Sequence, residues 1–406
     1  LKLKTSSPRF WIHTVEILIL AFCLGSCVSI NKFSHGKLQK STVEAHSFSF
    51  QSIEGIIVLK VQVNGVDGRF ILDNGFSLCA LDERFAQKAN VSFSRSGSVN
   101  DANNNNIRLA ESEINSIALG PFELKNSFAN ELNTQRFLPC DSIDGVLGAS
   151  FINQLNWKID FETKTGIVST EEFDVEGIHL PLKIGRNNIA STELEINGQP
   201  FNAMIDFGYQ GHLQIRRNYL SAFDGQQAEV REGIQSLSVS GLGNIDTSYI
   251  CSNISVKSNG RSLVNTPELV IKSNLSEDAV VGINYFENYT LYLNNASKEM
   301  ILQERGNFKF PVKPNFNAAL YVIDQEIHIV QINLNDSIHQ QIQLMQTVET
   351  IDGRPSNEFL DICYLKSYIK NKRCKNESII IQLTGSDKEY ILQAKTISKQ
   401  EINSLN

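Results

Sequence analysis

Several chemistries have no footing in this chain. It contains no Cys-x-x-Cys and no His-Glu-x-x-His, so the common zinc patterns are absent and no metal site is expected. None of its seven histidines follows a Gly-x-Ser-x-Gly elbow, which leaves a serine-hydrolase triad without a frame. Gly241-Leu242-Gly243 lacks the third glycine and the helix signal of a dinucleotide loop. Lys and Arg number 37 against 44 Asp and Glu, a net charge of −7, and no basic stripe appears; nucleic acid is excluded as a partner. The densest basic patch, Lys366 to Lys375, reads as a solvated loop.

What is present points to sheets. The 406 residues suggest two to three domains, and 41% hydrophobic with 20% charged residues is ordinary for globular proteins. Twenty-three phenylalanines can fill a sizeable core. Short alternating runs separated by Asn-, Ser- and Gly-rich turns favour β structure over helices.

The run Ile56 to Leu72 alternates like a hairpin around Asn64-Gly65 and ends in Ile71-Leu72-Asp73-Asn74-Gly75-Phe76-Ser77. A second alternating run turns at Asn197-Gly198 and ends in Met204-Ile205-Asp206-Phe207-Gly208. Both offsets are the same, 206 − 73 = 133 and 197 − 64 = 133. Gly145-Val146-Leu147-Gly148 and Val280-Val281-Gly282 extend the echo, each followed by an aromatic residue and then a strand-like run, Trp157 to Asp160 and Leu291 to Asn294. An internal duplication of roughly 130 residues fits two homologous lobes better than a solenoid.

These marks resemble the retropepsin-like and pepsin-like aspartic proteases, in which a strand ends in two hydrophobics and Asp-Thr/Ser-Gly, backed by a later hydrophobic-hydrophobic-Gly segment. The resemblance covers about residues 50–305. It implies catalytic aspartates at Asp73 and Asp206, supported by Asn74, Gly75, Ser77, Phe207 and Gly208. It also implies a peptide or protein substrate, no cofactor, and lobes that pair within one chain. The chain departs from the pattern where Asn74 and Phe207 replace the hydroxyl residue, and at Gly211. Asn74 is expected to donate a hydrogen bond by a longer arm, which the Phe207 side chain cannot do. Ser92 to Asn106 and Ser236 to Tyr249, the latter with Gly241-Leu242-Gly243 at its tip, fall where flaps would cover the cleft; the first reads equally as an exposed hairpin tip.

The expected fold is therefore mainly β: a lobe over 49–172, a second over 178–305, and a small α+β domain over 310–400. In that last part a strand ending Ile351-Asp352-Gly353-Arg354-Pro355, a helix over Phe359 to Tyr368 and a terminal hairpin resemble the second half of a PDZ domain. At the other end, Lys2, Lys4 and Arg9 precede an apolar run, Ile17 to Leu24, too short to span a bilayer as a permanent helix, then Gly25-Ser26-Cys27. Residues 1–27 read as a secretory leader. The leader is either plainly cleaved or, by its resemblance to a bacterial lipobox, lipidated at Cys27 and so membrane-anchored in the cell envelope. Residues 28–48 read as a tether. Five cysteines follow the leader, with Cys363 and Cys374 the nearest pair for a bridge; Cys79 reads as a buried strand residue.

Two functions follow. One is an aspartic-type endopeptidase in which two close carboxylates share a proton, as in the aspartic proteases used as the standard illustration of that chemistry. The other is a catalytically inactive peptide- or protein-binding module using the same cleft. A scaffold whose lobes merely pack is a third, weaker possibility.

Overall fold

The computed structural model describes residues 32–273, 275–306, 310, 314–395 and 400–401. The leader, with Cys23 and Cys27, lies outside them.

The two Asn-Gly turns form because both residues adopt left-handed conformations: φ is +51° and +80° at Asn64 and Gly65, +50° and +80° at Asn197 and Gly198. Such turns match the twist of the flanking strands. Each closes a hairpin, Ile56–Val63 with Val66–Asp73 and Ala190–Ile196 with Gln199–Asp206. The second strand of each hairpin then pairs in parallel with a glycine-bounded strand. Asp73 is in register with Gly148, and Asp206 with Gly282. Both glycines are obligatory, since a Cβ on Gly148 would lie 1.8 Å from the Leu78 carbonyl oxygen and one on Gly282 2.3 Å from that of Gly211.

A six-stranded sheet joins the halves. Asn156–Asp160 and Tyr289–Asn294 are its central antiparallel pair, with Trp157 opposite Leu293 and Ile159 opposite Leu291. One continuous core spans both halves through Trp157, Phe151, Tyr285 and Phe286. Burying large side chains of this kind contributes roughly 1.5–3 kcal/mol each. The sheet therefore fixes the halves against one another as a packed unit.

The expected tether takes a different form in its described part. Lys37–Leu38 pairs with Leu124 and Lys125, and Ala45–Ser49 pairs with Thr165–Ser169 at the rim of the joining sheet. Lys32 also meets Glu111 at 2.6 Å. Backbone ladder bonds hold this segment, and its short half-exposed strands carry too little apolar alternation to announce themselves.

The final region packs its own core, including Ile327, Ile329, Ile351, Phe359, Leu365 and Ile381. Ala318–Ile323 and Glu326–Asn333 form a hairpin; Val348–Ile351, Ile379–Leu383 and Glu389–Leu392 belong to a four-stranded sheet. The helix runs Ile362–Cys374, later than expected, because Asp361 caps it by accepting the Cys363 and Tyr364 N–H groups. Lys366 to Lys375 thus lies in this helix and its C-cap, not in a loop. Asn333 and Gln331 pair with Arg231 and Gly233, so the hairpin extends the sheet of the second half. The bridge joins Cys140 to Cys363, while Cys374 is free and exposed; a Cys363–Cys374 pairing is overturned. Three helical turns separate 363 from 374.

Candidate active site

Two loops leave equivalent strand ends and meet. Gly75 N–H donates to Asp73 Oδ1 at 2.8 Å, and Gly208 N–H donates to Asp206 Oδ1 at 2.8 Å. Each loop passes over the opposite carboxylate. A Cβ on Gly75 would lie 2.4 Å from Asp206 Oδ1, and one on Gly208 2.4 Å from Asp73 Oδ2. The two carboxyl groups are hydrogen-bonded to each other. Burial, then the charge of Asp206, pushes Asp73 well above the ordinary carboxylate range. Burial also raises Asp206, against the Gly208 and Tyr209 N–H groups that favour its ionised form. At this spacing the pair holds one proton more easily than none.

Asn74 departs from the donor role expected of it. Its Oδ1 accepts the Phe207 N–H at 2.8 Å, across the two halves. The Phe207 side chain turns away, 1% exposed, into the core against Phe286. One cross-half bond is therefore made, by an amide oxygen. Ser77 sits in the same loop and contributes through its backbone, whose carbonyl accepts the Ser150 N–H at 3.1 Å. Cys79 is fully buried in its strand.

The two expected flaps are hairpins whose tips touch. The first is Arg95–Asn100 with Asn106–Leu119; the second continues from Gln227–Ile234 to Ile245–Cys251 through the short pair Leu237–Ser238 and Gly241–Leu242. The second turn falls at Val239-Ser240, just before the Gly-Leu-Gly. Ser238 Oγ donates to Asp101 Oδ2 at 2.6 Å, and Asn103 Nδ2 donates to Ser238 Oγ at 2.8 Å. Ser240 also bonds Asp101, and Ser236 bonds Asn103. Asp101 is 7% and Asn103 5% exposed, so the first tip is covered. Sequence reasoning missed this latch; the run of asparagines was its one outward sign.

A cavity of about 440 Å³ opens elsewhere, lined by His46, Phe48, Lys60, Gln62 and Arg69, and shares no residue with the carboxylate pair. The pair offers one carboxyl able to donate and one able to accept, each on a half-buried residue.

No curated protein matches the chain. Residues 59–151, which contain Asp73, Gly75, the first hairpin and the Gly145–Gly148 strand, match the family model described as aspartyl protease, and this supports an aspartic protease family for the chain.

Proposed function

We propose that the protein is an aspartic endopeptidase that hydrolyses peptide bonds through Asp73, Asp206 and an activated water. In this reading residues 49–172 and 178–305 are duplicated lobes and 310–400 a PDZ-like tail. The ionised carboxyl takes a proton from water as it attacks the scissile carbonyl, and the protonated one donates to the carbonyl oxygen. The observation that carries the proposal is the mirrored packing of Gly75 and Gly208 over the opposite carboxylates. Two loops that merely packed together have no need to leave both carboxylates backbone-held and facing one another.

Export belongs to the same proposal, with Cys27 as the lipid-bearing residue and the cell envelope as the location. The Cys140–Cys363 bridge favours an oxidising compartment. The competing reading, a cleft that binds peptide without cutting it, draws on Phe207, which offers no side-chain donor opposite Asn74.

The test is cleavage of an unbiased peptide library by the chain from Val28 onward, from acid to neutral pH, beside Asp73→Asn and Asp206→Asn. Cleavage lost in both variants is the expected result. A folded wild type that cuts nothing at any pH would overturn the endopeptidase reading and favour the binding one.

A further inference from the structure

The two walls beside the carboxylates share a register and differ in what fills it. In the first half Ile71, Ala80, Leu132 and Val146 lie on the Asp73 side of the sheet. They cluster with Phe76, with Leu109 of the first hairpin, and with Val239 from the tip of the second. That cluster is apolar, with Asp82 and Asn130 as polar neighbours on the same side of the sheet.

The second half repeats the pairing. Val146 opposite Ala80 becomes Val280 opposite Gln214, and Asp82 beside Leu132 becomes Arg216 beside Lys272. Met204, Gln214 and Lys272 therefore occupy the positions of Ile71, Ala80 and Leu132. Leu269 and Ile271 enter the main core, so the alternate residues Val270 and Lys272 face the other way, toward the Asp206 side. Val270, Gln214 and Met204 are all partly exposed there, as residues lining an open wall should be.

Lys272 is 4% exposed. Burial lowers its pKa to about 8, against the opposing charge of Asp246. Asp246 is already in demand, taking the Thr247 and Ser273 N–H groups at 2.8 Å each and pairing with Arg217 at 3.2 Å. Arg217 Nη2 is the atom that meets Asp246, while its Nε is buried without a hydrogen-bond acceptor. The buried Lys272 and the one-third exposed Arg217 thus share one carboxylate, whereas Arg216 and Arg231 pair with Asp278 and Glu229. An excess of positive charge around a buried lysine is costly unless an anion completes it.

We infer that the second-half wall is a specificity site for an acidic side chain of the bound peptide, an Asp or Glu whose carboxylate is taken by Lys272 with Arg217. The cleft then grips an apolar side chain on one wall and an acidic one on the other. This rests on the endopeptidase reading for its consequence but not for its test, because binding can be read without cleavage.

The experiment uses an amidated, N-acetylated peptide library, so that only side chains supply carboxylates. The wild-type chain is scored for cleavage, and the Asp73→Asn chain for peptides retained at equilibrium. Enrichment of Asp and Glu at one position is expected, with Glu favoured over Gln by about 10- to 100-fold, the usual range for a hydrogen bond to a charged group. Lys272→Met should erase that preference and leave neutral peptides unaffected; Lys272→Arg should keep part of it. Met matches the apolar twin Leu132, and a thermal melt checks folding. Cleavage without acidic preference overturns the inference and leaves the endopeptidase reading standing. Acidic retention without cleavage does the reverse. Retention with no acidic preference, or a preference that survives Lys272→Met, also overturns it.

Discussion

The Phe207 N–H donates to Asn74 Oδ1 at 2.8 Å, joining residues 133 positions apart at the point where the two carboxylate loops meet. Both residues are buried. Asn74→Ala leaves that N–H without an acceptor, a loss of about 1–3 kcal/mol. The variant should melt lower, and kcat should fall by at least tenfold with KM nearly constant, because the bond positions the pair rather than the peptide. Asn74→Ser, whose shorter arm still accepts, should recover part of both. Unchanged kcat in Asn74→Ala would show that the bond is not needed to align the pair.

Gly75 and Gly208 make a sharper prediction. A methyl group at either position would stand 2.4 Å from a carboxylate oxygen of the other half. Something must move, and the carboxyl group is what the methyl meets. Gly75→Ala and Gly208→Ala should fold, since the strands that hold the loops are untouched, yet lose activity by more than 100-fold. A circular-dichroism spectrum beside a cleavage assay checks both halves of the statement.

The pair also predicts how stability varies with pH. Asp73 and Asp206 have folded-state pKa values raised above 3.8. A carboxyl raised on folding contributes stability that is fully present below its unfolded pKa and lost as pH rises through the folded one. Asp206→Asn, and likewise Asp73→Asn, removes the charge that must be buried. Each should therefore melt higher than wild type near neutrality and show little advantage near pH 3, with the gap opening between. Melting curves across pH decide it; a gap that shrinks as pH rises would contradict the shared-proton arrangement.

What the residues announced and what they hid divide along physical lines. The two Asp-x-Gly loops were legible because they need glycine at a close approach and two aliphatics behind it, and both needs show in the letters. The Asn-Gly turns were legible for the same reason, each demanding positive φ twice. The Cys140–Cys363 bridge was not, because proximity after folding sets the partner and chain spacing does not. The latch around Asp101 stayed hidden because serine and asparagine in a turn look the same whether solvent or a second hairpin takes their hydrogen bonds. Lys272 reads as an ordinary strand-end lysine until the register gives it the position that Leu132 holds in the other half.

The latch predicts coupled motion of the hairpins. Burial pushes the Asp101 carboxyl up, but the hydroxyls of Ser238 and Ser240 and the N–H groups of Asn105 and Asn103 outweigh it and hold it below 3.8. A depressed carboxyl stabilises above its unfolded pKa and loses that contribution only as pH falls through the folded one. The latch should therefore persist to below pH 4. Asp101→Ala should speed amide exchange in residues 101–105 and in 236–243 alike, and leave the joining sheet around Trp157 protected. Faster exchange in the first tip alone would show that the hairpins move separately.

The bridge from Cys140 to Cys363 carries the last prediction, because it closes a loop of 223 residues between the first half and the tail. Constraining a loop of that length in the unfolded chain is worth up to about 5 kcal/mol, and native bridges commonly supply about 2–5. Cys140→Ser, Cys363→Ser or a reductant should each lower the melting temperature by a similar amount, and reductant should add nothing to either variant. The tail should nonetheless stay docked. Its Glu326–Asn333 strand remains paired with Arg231 and Gly233, and Arg231 reaches the Gln331 side chain at 2.9 Å. Those bonds run along the first strand of the second hairpin, so removing the bridge should loosen the first half's contact with the tail before the second's. Exchange measured after reduction should rise around residues 137–144 and at the start of the Ile362–Cys374 helix, and stay low over 227–234. Alkylating the exposed Cys374 should change neither the melt nor the exchange pattern. A tail that exchanges as a whole once the bridge is cut would mean that the disulfide, not the shared sheet, holds it in place.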